Sequence, residues 1–198
     1  MGLLLNHAGG TPSPWVQRFA ALWPAGSRVL DLACGSGRHL RWLAAQGLQV
    51  TGVDRDAAAL QALQGLGELL TADIEGGPWP LAGRQFDGAV VTNYLWRPLF
   101  PQILAALAPG GLLICETFAD GQQHIGRPTR PEFLLQPGEL LRLCAGLRVV
   151  AFEDGFEDTG GAARFVQRIA AVAPAAGAPA PAAKLPPPHQ PITGRDSA

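Results

Sequence analysis

Four carboxylates stand in or just beyond short apolar runs. Asp31 lies in Val29-Leu30-Asp31-Leu32-Ala33, Asp54 follows Val50-Thr51-Gly52-Val53, Asp73 lies in Thr71-Ala72-Asp73-Ile74, and Glu116 follows Leu113-Ile114-Cys115. Between the first two runs lies a glycine turn, Gly35-Ser36-Gly37-Arg38-His39-Leu40. Such a turn between a strand and a helix lets the backbone approach a nucleotide-like ligand. A carboxylate at the end of the next strand, here Asp54, can accept hydrogen bonds from both hydroxyls of a ribose; its plainer role is a turn acid or helix cap. Asp73 can accept from an adenine amino group while Ile74 packs on the ring, or it is an ordinary loop acid.

The turn discriminates between nucleotides. A dinucleotide fingerprint wants a third glycine where this chain has Leu40, and there is no Gly-Lys-Ser/Thr of a phosphate-cradling loop. The Asp31 carboxylate is a poor neighbour for a pyrophosphate and a good one for an ammonium or sulfonium group. S-adenosyl-L-methionine carries a sulfonium, an ammonium and a ribose diol but no phosphate, and it fits this pattern better than NAD. Gly35 and Gly37 would shape its loop.

The groups that would face a second substrate follow the later runs. Thr92-Asn93-Tyr94-Leu95-Trp96-Arg97 comes after the fourth run. There Asn93 can line the cofactor edge, and Tyr94 and Trp96 either wall a pocket or simply pack. Glu116 can orient an acceptor or act as a base, or serve as a surface or capping acid. His124, Arg127 and Arg130 lie in a long loop: His124 is a candidate base and the arginines candidate holders of an anion, against the alternative of a solvated charged loop. Tyr94, Glu116 and His124 are therefore the catalytic candidates. His39, beside the glycine turn, reads as structural, and His7 falls in a terminal arm. Four scattered histidines and three distant cysteines give no metal-ligand spacing.

These residues need a frame that gathers strand ends. Ser13-Pro14 opens a short helix with Val16, Phe19 and Trp23 on one face. Strands are expected at about 28–33, 49–53, 68–72, 86–92 and 112–117, with helices at 37–46, from Asp56 to 64, and at 99–107, the last stopped by Pro109-Gly110-Gly111. After a loop over 119–136, a helix from Pro137-Gly138-Glu139 to Cys144 precedes two strands, 147–152 and 163–172. Those two lack a helix-length connector and should pair antiparallel. Alternating strands and helices imply a mostly parallel, doubly wound α/β sheet with helices on both faces and its ligand at the strand carboxyl ends.

The chain has 198 residues, 47% hydrophobic and 16% charged, with a net charge of −1. That suits one domain with a sizeable core. Lys184 is the sole lysine and the arginines are scattered, which argues against general nucleic-acid binding. No apolar run reaches membrane-spanning length, and the unpaired cysteines suit a reducing, cytoplasmic setting. The expected organisation is a flexible arm over 1–12, a folded domain over 13–173, and a disordered Ala/Pro-rich tail over 174–198.

Taken together, "VLDLACGSG", "VTGVDRD", "TADIE", "FDGAVVTNYL" and "LAPGGLLICETF" resemble the class I S-adenosylmethionine-dependent methyltransferases over roughly residues 12–172. "GSGRHL" and "GRPTRPEFLLQPGELLRL" further resemble the small bacterial tellurite-resistance type. The resemblance implies a Rossmann-like seven-stranded sheet of order 3-2-1-4-5-7-6 with strand 7 antiparallel, S-adenosyl-L-methionine as cofactor, and Asp31, Ala33, Gly35, Gly37, Asp54, Asp73, Ile74 and Asn93 around it. Ala33 departs from the acid or glycine common at that position. No Pro-Pro pair follows Asn93, unlike enzymes that methylate nucleobase amines or protein glutamine, so a small-molecule acceptor is expected. Methyl transfer needs alignment more than a base, so the lack of a recognisable triad is no objection. The alternatives are a cofactor-binding module acting through a partner, and a nicotinamide-dependent oxidoreductase disfavoured by Leu40 and Asp31.

Overall fold

The computed structural model describes residues 10–158, 163–175 and 185–187. Seven strands form one sheet: β1 (Arg28–Leu32), β2 (Gln49–Asp54), β3 (Glu68–Thr71), β4 (Phe86–Thr92), β5 (Leu107–Phe118), β6 (Arg148–Asp158) and β7 (Ala163–Val172). Their order is β3-β2-β1-β4-β5-β7-β6, as expected. The first five run parallel, and β7 is antiparallel to both β5 and β6.

Alternation along the strands explains the layering. Leu30 and Leu32, Ala89 and Val91, and Leu113 and Cys115 join one apolar cluster, while Val29, Val90, Leu112 and Ile114 join another. Successive side chains of a strand point to opposite faces, so both faces are apolar and both need cover. Helices α1 (Pro14–Ala20), α2 (Arg38–Ala45) and α3 (Ala57–Gln61) cover one face with Trp15, Val16, Phe19, Leu40, Leu43 and Leu60. Helices α4 (Phe100–Ala105) and α5 (Glu139–Leu143) cover the other with Ile103 and Leu140. The Ser13 hydroxyl accepts from the Trp15 N–H at 3.1 Å and caps α1, with Pro14 in its first turn.

Three expectations change. The helix after β4 ends at Ala105, and Pro109-Gly110-Gly111 belongs to a distortion at the start of β5. Pairing passes from Phe86↔Leu107 to Gly88↔Leu112, so extra residues of β5 are accommodated there. A Cβ on Gly111 would lie 2.9 Å from the Ala108 carbonyl oxygen, so the glycine permits the fold-back. Second, β6 continues to Asp158 because its polar end pairs across β7, with Glu153 opposite Arg168 and Glu157 opposite Arg164. Third, the 119–136 loop is not open. Ala119 and Leu135 form a bridge at its base, Leu134 and Leu135 are fully buried, and short 3₁₀ turns occupy Gln122–His124 and Pro131–Phe133.

Of the expected arm, residues 1–9 lie outside the described residues, and so does most of the tail. The described piece of the tail meets α1: the Arg18 Nε–H donates to the Pro186 carbonyl at 3.4 Å. Among the described residues, no helix is long and apolar enough to cross a membrane.

Candidate active site at the carboxyl ends of the strands

The parallel strands end together, and residues at and just beyond their ends line one open cavity. Ala33 comes from β1, Asp54 and Arg55 from β2, Ala72, Asp73, Ile74 and Glu75 from β3, Asn93, Tyr94 and Leu95 from β4, and Thr117 and Phe118 from β5. The 119–136 loop closes one side with Arg127, Pro128 and Phe133.

The carboxylates are held differently. Asp54 is buried, and its two oxygens accept from the Gly35 N–H at 2.7 Å and the Asp56 N–H at 2.9 Å. These bonds orient the acid toward the cavity mouth and tie it to the glycine turn. Asp73 is exposed, and its Oδ1 accepts from the Glu75 and Gly76 N–H groups, which hold its carboxyl below the usual range. Its Oδ2 is left for a ligand.

Asp31 does not line the cavity as it stands. Its side chain is buried, and Oδ2 has no hydrogen-bond partner. Burial pushes its pKa up to about 7, against the pull of Arg38 and of the Leu40 backbone N–H. A buried acid with an orphan oxygen suits an incoming cation. Arg38, whose charge acts on both Asp31 and Glu116, sets a cation beside that acid. The pair offers complementary charges to the zwitterionic end of an amino acid. Sequence reading passed over Arg38, although its place directly after Gly37 was a usable signal.

Backbone strain marks the same rim. Among the described residues, Ala33 and Asn93 are the non-glycine residues with positive φ, at 54° and 53°. Both lie at strand ends, where the left-handed turn presents backbone to the cavity. The Asn93 N–H donates to the Glu116 carbonyl at 2.9 Å and fixes the lip. Gly37, at φ 75°, caps α2, and a Cβ there would fall 2.5 Å from Leu63.

The catalytic candidates separate. Tyr94 lines the cavity, and its hydroxyl is shut off from solvent without a hydrogen-bond partner. Burial first, and Glu75 second, push its pKa well up, so the phenol stays protonated and can donate to a ligand oxygen or anion. Glu116 is buried away from the cavity lining. It pairs with Arg168 Nε at 2.6 Å and Arg164 Nη1 at 3.3 Å and accepts from the Ser13 hydroxyl at 3.1 Å. That arrangement fits a structural counter-ion better than a base. His124 is exposed and does not line the cavity. His39 is structural as read. Its Nε2 accepts from the Ser13 N–H at 3.1 Å and its Nδ1 faces the Thr92 hydroxyl at 3.3 Å, while burial and Arg38 push its pKa down to about 3. Trp96 packs against the core.

The 119–136 loop is pinned by Arg97. Its guanidinium grips Glu139 at 2.6 and 2.9 Å and donates to the Glu132 carbonyl at 2.7 Å and the Leu134 carbonyl at 2.8 Å. Glu139 in turn accepts from the Gln136 N–H at 2.8 Å.

Comparison with known proteins agrees with this architecture. Residues 29–111 match the family model described as "Methyltransferase domain". That stretch, under half of the chain, is similar to a methyltransferase domain. The fold is similar to that of a SAM-dependent methyltransferase from Methanosarcina mazei, with a TM-score of 0.66, 18% identity, and cover of 84% of this chain and 100% of that one. It is similar to TehB from Haemophilus influenzae, with a TM-score of 0.62, 17% identity, and cover of 75% and 58%. These likenesses concern the fold. A curated relative, a trans-aconitate 2-methyltransferase from Paracidovorax citrulli, is 36% identical over 123 residues, which is 57% of this chain and 46% of the relative. The chain thus spans less than half the length of that relative.

Proposed function

We propose that this chain binds S-adenosylmethionine at the strand ends and transfers its methyl group to a small-molecule acceptor, with residues 13–173 as the working unit. The observation that carries this reading is Asp54, buried and held by the Gly35 and Asp56 N–H groups at the rim of the cavity. A carboxylate so fixed receives a ribose diol without reorganising. Ile74 offers an apolar surface and Asp73 an acceptor for an adenine. The orphan oxygen of Asp31 and the adjacent charge of Arg38 fit the ammonium and carboxylate of the methionyl end. Ala33, Gly35, Gly37 and Asn93 would shape the backbone around the ligand.

The bound cofactor would supply an already activated methyl group. The protein's part is then to align an acceptor within ~3–3.5 Å and exclude water. Leu95, Phe118 and Phe133 wall the place where the acceptor would lie. Leu40 supports this cofactor over a dinucleotide. It is fully buried, and its Cδ1 would lie 3.0 Å from a Cβ on Gly52, so it occupies the helix–sheet gap that a dinucleotide turn keeps clear.

Calorimetric titration with S-adenosylhomocysteine and NADH tests the proposal. S-adenosylhomocysteine should bind, NADH should not, and Asp54→Ala should weaken the former by about 10–100-fold, the worth of a charge-assisted pair of bonds. Binding of NADH in place of the sulfur ligand would overturn the reading.

A further inference from the structure

The groups around the cavity constrain the acceptor's chemistry. None of the lining residues is a histidine or cysteine. Both oxygens of Asp54 hold backbone N–H groups, Oδ1 of Asp73 holds its turn, and the lining's other carboxylate is Glu75. The Tyr94 phenol keeps its proton. The lining therefore offers only carboxylates as bases, and these are weak bases for a nucleophile that holds its proton tightly. The best-suited nucleophile is one that is already an anion at neutral pH.

The loop supplies a partner for that anion. Arg55 also lines the cavity, but its charge acts on Asp73 and Tyr94, at the adenine side. Arg97 is taken by Glu139, and Arg130 by Glu132. Arg127 lines the cavity beside Pro128, and among the described residues its guanidinium has no ion-pair partner. Tyr94 lines the same cavity near Glu75, and its buried hydroxyl makes no hydrogen bond. Phe118, Leu95 and Phe133 make the remaining walls apolar.

Resting on the proposed function, we infer that the acceptor is an organic carboxylate with an apolar body, its charge received by Arg127 and the Tyr94 hydroxyl, and that the product is a methyl ester. A carboxylate oxygen supplies the electron pair for the new C–O bond. The C–S bond breaks with its pair left on sulfur, which becomes a neutral thioether. No proton moves, so no base is needed.

The test uses the full chain loaded with S-adenosylhomocysteine, titrated with 3-phenylpropanoate and separately with 3-phenylpropanamide. The acid should bind at least about tenfold more tightly than the amide, the worth of one charge-assisted hydrogen bond. Arg127→Ala should erase that preference, Arg127→Lys should keep part of it, and neither should change the affinity for S-adenosylhomocysteine. Turnover of the acid with methyl-labelled S-adenosylmethionine should place the label in a product that alkali cleaves to methanol. Equal binding of acid and amide, a preference that survives Arg127→Ala, or label in an alkali-stable product would each overturn the inference. Failure of S-adenosylhomocysteine to bind in the loading step would instead overturn the proposed function beneath it.

Discussion

Asp31 has one oxygen with no partner, and burial raises its pKa to about 7. Holding that carboxylate charged in the empty protein costs folding stability, and a cationic ligand returns part of the cost on binding. Asp31→Asn should therefore separate two properties. At pH 8 the variant should unfold at higher denaturant concentration, by roughly 1–3 kcal/mol, because no charge has to be buried. Its affinity for S-adenosylmethionine should fall at least about tenfold, since the cation loses its counter-charge. Paired chemical denaturation and calorimetry read both effects, and a variant that lost stability and kept affinity would refute this role. The run Val29-Leu30-Asp31-Leu32-Ala33 displayed the acid in an apolar setting, so the residue was legible in the sequence. Its partner was less so. The charge of Arg38 reaches Asp31 only because the Gly37 turn starts α2 near the end of β1, and that is tertiary geometry.

At the scale of elements, strands β1 to β4 were legible because each is a continuous apolar run ended by a polar residue or a turn, as a two-faced buried sheet requires. The edges were harder to read. The outer half of β6 is held by Arg164 and Arg168 meeting Glu153 and Glu157, a cross-strand match that no local apolar pattern reports. The 119–136 loop looked solvated because its Gly, Pro and Arg content conceals the buried anchor Leu134-Leu135 and the Arg97 clamp. Arg97→Ala removes four hydrogen bonds to Glu139 and the loop carbonyls. It should lower stability by about 1–3 kcal/mol and speed hydrogen exchange across 127–135. Arg97→Lys, which keeps the charge but not the fork, should recover only part of this. Unchanged exchange in the loop would show that its burial alone positions it.

Across the whole molecule, two buried groups oppose each other in their dependence on pH. Asp31 titrates near 7 when folded against 3.8 as a free acid, so it holds a proton in the folded chain that the unfolded chain has released. Stability from this source is complete below about pH 4 and is lost as pH rises toward 7. His39 titrates near 3 when folded against 6.5 when free, so the unfolded chain binds the extra proton. Its contribution is complete above about pH 6.5 and is lost as pH falls. Each slope is about 1.4 kcal/mol per pH unit and the signs are opposite. Between pH 5 and 6.5 the two should nearly cancel. The lowered carboxyls of Glu68, Glu139 and Glu157 act below that window. Denaturation midpoints should be nearly flat there in the natural chain. They should rise with pH in Asp31→Asn and fall with pH in His39→Gln. Parallel profiles for all three proteins would contradict the opposed burial of these groups.

The central claim is that the strand-end carboxylates of one cavity receive a sulfonium nucleoside. A crystal structure of the full chain with S-adenosylhomocysteine tests it most directly. The account predicts the ribose hydroxyls on Asp54, the adenine between Ile74 and the Asp73 carboxylate, and the amino-acid end at Asp31 and Arg38. It also predicts that the space bounded by Tyr94, Phe133 and Arg127 stays open in front of the sulfur. A ligand seated elsewhere, or one whose ribose leaves the Asp54 carboxylate uncontacted, would contradict it.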